Sequence, residues 1–209
     1  MVDALNQQAG LLMRKLTVGV VAVAGLLLTA GCSRTTPGNA QTTSPTAGSS
    51  SSGPAVPQVA DPLDTTKFEK DPCGLLSPDQ ARALANLLTT RLDSKAAGGP
   101  ICSWLDEHHN GISYSLIRGG GLSDVYRNHL PNDPGYFEPG ESAAGYPAVY
   151  ASITDGRPKG DCVLMVGVRN DVVMVTGSIL GGTSPDQENP CPLVKKAAEA
   201  AIATLKAGL

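Results

Sequence analysis

Aromatic residues are scarce: two Phe, five Tyr and one Trp make up 4% of 209 residues. The core must therefore be built from Val, Leu, Ile and Ala, within a hydrophobic content of 41% that is ordinary for a globular chain. Basic clusters are missing as well. Beyond the N-terminus the longest Lys/Arg run is Lys195-Lys196, read as the wet face of a helix, and the formal net charge is −3. That balance excludes the concentrated positive charge a nucleic-acid partner requires. No uncharged apolar run reaches the ~18–20 residues of a spanning helix. No Gly-x-Ser-x-Gly elbow is present, and no Cys-x-x-Cys pair. The glycine run "RGGGL" (118–122) has no Gly-Lys-Ser/Thr after it and is read as a strand-to-helix link rather than a phosphate loop. The three histidines are His108, His109 and His129. Two of them sit in "DEHHNG", but neighbouring strand residues point to opposite faces, so that stretch reads as a solvated turn. Carboxylate pairs such as Asp161 with Asp171, or Glu138 with Glu141, fall in turns and loops. The expectation is a protein that is not an enzyme, with no catalytic residue, no metal site and no cofactor.

What is present begins at the N-terminus. Met13-Arg14-Lys15 opens a basic patch, and Leu16 to Gly31 carries no charge. Basic, apolar and small-residue regions in that order read as a signal peptide, residues 1–31, with translation expected to start at Met13. The segment ends Leu28-Thr29-Ala30-Gly31-Cys32, which resembles a bacterial lipobox, departing from it at Thr29. In such signals the cysteine is lipidated and becomes residue one of the mature chain. Each buried CH₂ contributes about 0.8 kcal/mol, and two acyl chains anchor stably where one does not. The resemblance implies a palmitate-type anchor on Cys32, with the protein held on the extracytoplasmic face of the cell membrane.

Residues 32–60 are dominated by Ser, Thr, Pro, Gly and Ala without hydrophobic period, and read as a disordered tether. As a coil it would reach roughly 30 Å. Residues 61–209 have globular composition. "LLSPDQARALANLL" reads as a helix with Ser77 as N-cap, Pro78 in its first turn and Gln80 closing a capping box. "ICSWLDE" and "GISYSLIR" read as a hairpin turning at Asn110-Gly111, with Ile112, Tyr114 and Leu116 inward. A short helix, "GLSDVYRNHL", precedes the strand "YPAVYASIT", and the turn Asp155-Gly156-Arg157-Pro158 follows it. "CVLMVGVRNDVVMVTGSIL" reads as two central strands covered on both faces. "LVKKAAEAAIATL" is an amphipathic helix whose inner face is Leu193, Val194, Ala197, Ala198, Ala201, Ile202 and Leu205. The fold class is α+β: a mainly antiparallel sheet of about five strands packed with N- and C-terminal helices.

Four cysteines follow Cys32: Cys73, Cys102, Cys162 and Cys191, at spacings of 29, 60 and 29. An even number in an exported chain reads as two disulfides, with three pairings open. Chain-order pairing is expected: Cys73–Cys102 would pin the first helix's approach, and Cys162–Cys191 the start of the last helix.

The order of "DPCGLLSPDQ", "CSW", "GYPAV", "DCVLMVGV" and "PCPLVKKAAEAAI" resembles a Cys-patterned domain-of-unknown-function family of actinobacterial, mycobacterial-type envelope lipoproteins, to which LprB and LprC are similar. The resemblance spans residues 70–205 or so and implies no activity. The element order is also similar to the PsbP- and Mog1-type sandwich, whose members act mainly as binding or assembly modules.

The segment 129–150 is long and rich in Pro and Gly. Its Tyr136, Phe137, Tyr146 and Tyr150 are candidates for a contact surface, although aromatics at the edge of a core would look the same. The expectation is a membrane-anchored, non-enzymatic binding or assembly module of the cell envelope, partnered by the membrane and by another envelope protein or a lipid. The alternative is a carrier of a small apolar ligand, a lipid or glycolipid, in a pocket between the central strands and the C-terminal helix.

Overall fold

The Ser77 capping box forms. Ser77 Oγ accepts from the Gln80 amide (3.2 Å), and Gln80 Oε1 accepts from the Ser77 amide (2.7 Å). These bonds satisfy two of the amides that a helix start leaves unpaired. In the computed structural model, which describes residues 55–129 and 134–208, they open helix α1, Pro78–Ala85. Residues 1–54, with Cys32 and the stretches read as a signal peptide and most of a tether, lie outside the described residues. Among the described residues no helix is long and apolar enough to cross a membrane.

Helix α1 ends earlier than its apolar residues suggest. Asn86 adopts the left-handed conformation (φ 49°) and its amide returns to Ala81 and Arg82 carbonyls. The chain then forms strand β1, Thr89–Asp93, whose five residues are all exposed. Strands β2 (Ile101–Leu105) and β3 (Gly111–Arg118) pair antiparallel. Their turn is built on Asp106 rather than on Asn110-Gly111. Asp106 Oδ1 accepts from the amides of His108 (2.8 Å) and Asn110 (2.9 Å), and His109 takes the positive φ of 64°. Gly111 instead starts β3, so close to β2 that a Cβ there would lie 2.4 Å from the Trp104 carbonyl oxygen.

Helix α2 (Leu122–Asn128) follows. Part of the stretch read as a long loop is a strand, β4 (Tyr136–Ala143), which pairs with β5 (Tyr146–Ser152). Ala144 and Gly145, at φ 48° and 87°, make the two-residue turn between them. Gly140, at φ 95°, marks a bulge in β4. Strands β6 (Val163–Arg169) and β7 (Val172–Ile179) form the expected hairpin. The sheet has seven strands in the order β1-β2-β3-β7-β6-β5-β4, all neighbours antiparallel, rather than about five. The two strands beyond those expected are the edges. The α+β class and the mainly antiparallel sheet are as expected.

Helix α3 (Cys191–Ala207) covers the centre of one face. All seven residues read as its inner stripe are buried, five of them, Val194, Ala197, Ala198, Ala201 and Ile202, completely. Alanine at these positions lets the helix approach β6 and β7 closely. The helix and the central strands, between which the alternative reading placed a carrier's pocket, pack against each other through these buried residues. Tyr114 lies beneath α3, fully buried, and donates its hydroxyl hydrogen to the Ala197 carbonyl (3.0 Å). Burial pushes its pKa far above the ordinary tyrosine value.

Disulfides join Cys73 to Cys102 (Cα–Cα 5.1 Å) and Cys162 to Cys191 (5.3 Å), in chain order. The first ties the 3₁₀ turn Pro72–Leu75 to β2. The second ties the residue before β6 to the first residue of α3. Replacing both Cys162 and Cys191 by Ala is expected to lower unfolding stability by about 2–5 kcal/mol. Urea titration of the variant beside the parent checks it.

Candidate functional site

The face of the sheet away from α3 is covered unevenly. The central strands present apolar side chains there too: Met165 from β6, Val173 and Val175 from β7, Val149 and Ala151 from β5. Helix α2 has only seven residues with which to cover them. It is seated by Leu122, which is buried and occupies the space over Gly167, where a Cβ would lie 2.8 Å from Leu122 Cδ1. Val59 fills the other side of the same gap, at 3.3 Å, and its amide donates to Asn170 Oδ1 (2.8 Å). The segment 55–60, read as the end of the tether, thus packs on this face through Val56 and Val59.

Beside α2 a groove of about 280 Å³ remains. Val173, Val175, Met165 and Ala151 form its floor. Val125 and His129 line it on the α2 side, and Phe137 lines it from β4. Phe137 is held between Tyr126, edge-on at 5.0 Å, and His129, stacked at 4.3 Å. Ile117 (41% exposed) and Ile153 (77% exposed) stand at its margins.

The charged groups on the rim are bound to one another. The Arg118 guanidinium donates to Glu69 (Nε–Oε2 2.9 Å) and reaches Asp171 at 3.4 Å. That hydrogen bond holds the Glu69 carboxyl below the ordinary carboxylate range. Asp124 accepts from the Gly120 amide (2.6 Å) and pairs with Arg127. The amide bond first, and Arg127 second, lower its pKa. The glycine run before α2 therefore receives its own helix's carboxylate. A Cβ on Gly120 would lie 2.4 Å from Asp124 Oδ1, so a side chain there would push the Asp124 carboxylate off its amide.

The four candidate aromatics do not share one surface. Tyr136, Tyr146 and Tyr150 are buried on the α3 side, in the main core. The Tyr136 hydroxyl accepts from the Val163 amide (2.8 Å), with the Arg157 guanidinium 4.1 Å from its ring centroid. Tyr146 donates to the Asp61 carbonyl (2.9 Å). Tyr150 reaches the Cys191 carbonyl at 3.4 Å, and burial pushes its pKa up to about 12. Phe137 faces the groove and Tyr136 borders it. Strand alternation in β4 separates the two. Among the described residues no group of three His, Cys, Asp or Glu is arranged to hold a metal ion. Cys32 lies outside the described residues.

The groove's floor was missed in the sequence because Met165, Val173 and Val175 were assigned to strands covered on both faces. The available signal was quantitative: a helix as short as "LSDVYRN" cannot cover two central strands and their neighbours.

Two outcomes are expected. Gly167→Val should displace Leu122 and destabilise the fold by about 1–3 kcal/mol, as overpacking does; chemical denaturation checks it. Because the folded-state pKa of Glu69 is depressed, its ion pair stabilises the fold above the ordinary glutamate pKa of 4.5, and that contribution is lost as pH falls through the lower folded value. Glu69→Gln should therefore weaken the acid-induced fall in melting temperature, read by thermal melts from pH 7 downward.

No curated protein and no solved structure matches the chain. A family profile does match, over residues 27–204, most of the length and all the described residues but 205–208. By that match the chain belongs to the family described as "Protein of unknown function (DUF3558)".

Proposed function

We propose that this chain is an actinobacterial-type envelope lipoprotein similar to LprB and LprC. In this reading a lipidated Cys32 holds it on the extracytoplasmic face of the cell membrane, and its folded domain is a non-catalytic binding module. The single observation that carries the binding role is the groove beside α2. Its floor is apolar, its margins expose Ile117 and Ile153, and its rim charges are already paired. Large side chains left partly open in a small domain favour a ligand over a purely structural role. The two disulfides suit an oxidising compartment outside the cytoplasm. The "LTAGC" sequence and the basic patch before it support the anchor. The likeness to PsbP- and Mog1-type sandwiches agrees with a binding role by analogy of architecture alone.

Intact and native mass spectrometry of the protein purified from membranes of an actinobacterial host tests this reading. The expected result is a chain that begins at Cys32, carries at least two acyl groups and shows the hydrogen deficit of two disulfides. Cys32→Ala should abolish acylation and release the protein from the membrane fraction. An unacylated chain cleaved elsewhere would overturn the anchor.

A further inference from the structure

The geometry points to one extended hydrocarbon chain, an acyl chain of a membrane lipid, as the occupant of the groove. This rests on the binding reading above and names its ligand class.

Shape is the first argument. The lining passes from Ile117 on β3 through Val173 and Val175 on β7, Met165 on β6 and Ala151 on β5 to Phe137 on β4. These are five adjacent strands. Four inter-strand spacings of ~4.8 Å make the groove about 19 Å long. An acyl chain fills one leaflet of a bilayer core ≈ 30 Å thick, so it extends ~15 Å. A volume of about 280 Å³ distributed over the groove leaves it about one chain wide.

Chemistry is the second. Val173, Val175, Met165 and Ala151 offer a ligand no side-chain hydrogen bond and no charge. Arg118 is occupied by Glu69 and Asp171, and Asp124 by Arg127 and the Gly120 amide. A bound molecule must therefore keep its polar end outside, near Asn128 and His129 at the rim. A peptide fits less well. The groove lies on a sheet face, where strand backbone groups are already paired, so an extended peptide would bury its own amides and carbonyls without partners. A helix, at ≈ 10–12 Å across with its side chains, is too wide.

Position is the third. The described chain begins on this same face, with Val56 packed against the cluster that bounds the groove and Val59 beside Gly167. Only residues 33–54 separate Cys32 from that point, a contour of at most roughly 75 Å. The groove thus lies on the face where the described chain starts.

The test uses the full-length acylated protein in phosphatidylcholine/phosphatidylglycerol vesicles containing a small fraction of phosphatidylcholine with a diazirine in its acyl chain. After illumination, labelled peptides are mapped by mass spectrometry. Label is expected on Phe137, Ile153, Met165 and Val175. Val175→Trp, which fills the floor, should reduce it about tenfold, as a bulky group in an apolar site would. Ile153→Asp, at an exposed position that tolerates change, should reduce it as well. Ile179→Asp, on the same face but outside the groove, should not. Label confined to residues before 55, or unaffected by Val175→Trp and Ile153→Asp, would overturn the inference. A photoreactive p-benzoylphenylalanine at position 153 in cells separates this failure from that of the binding reading. A protein adduct without a lipid adduct would leave a binding module but not a hydrocarbon site, and no adduct at all would overturn both.

Discussion

The architecture depends on how closely α3 lies on β6 and β7. A chain with so few aromatics gains burial from proximity rather than bulk, and Ala197, Ala198 and Ala201 supply it. Tyr114 is the large exception, and it is accommodated because its hydroxyl meets a helix carbonyl. Cys162–Cys191 fixes where the helix begins, and Cys73–Cys102 fixes the turn that leads into α1. Among the described residues, buried Thr176 Oγ1 and Trp104 Nε1 have no hydrogen-bond partner within the protein.

The two faces of the sheet differ because their helices differ. Seventeen residues of α3 close one side, while seven residues of α2 and the segment around Val59 lie over the other. Gly167 sets how low α2 can sit, and the Asp124–Gly120 bond sets where it starts. What they leave uncovered is a groove bounded by well-packed elements on three sides.

Much of this was legible in the sequence where several local signals agreed. Ser77, Pro78 and Gln80 marked a helix start three ways. The inner stripe of α3 has a period that only a helix satisfies. The cysteines paired in chain order, since each pair joins segments that the adjacent elements bring together. Strands β1 and β4 were not legible, for a physical reason. An edge strand has one neighbour and little burial, so "TTRLD" shows no alternation, and the Pro139-Gly140 pair in β4 looks like a loop. The "DEHHNG" turn was misplaced because an aspartate collecting two backbone amides overrode the Asn-Gly signal. The groove was hidden for a different reason: it depends on how far α2 extends, and no local motif records that.

The bulge at Gly140 has a consequence for life at high local density. An open sheet presents unsatisfied amides and carbonyls along both outer strands, and identical copies brought together could zip along them. Here one outer strand carries Arg91 and Asp93 on only five residues. The other has Pro139, which offers no amide, then a register shift, with Glu138 held by Arg157 and Glu141 by Lys195. Neither margin is a straight, uncharged template. Copies at high concentration can therefore remain separate molecules rather than extend one another's sheet.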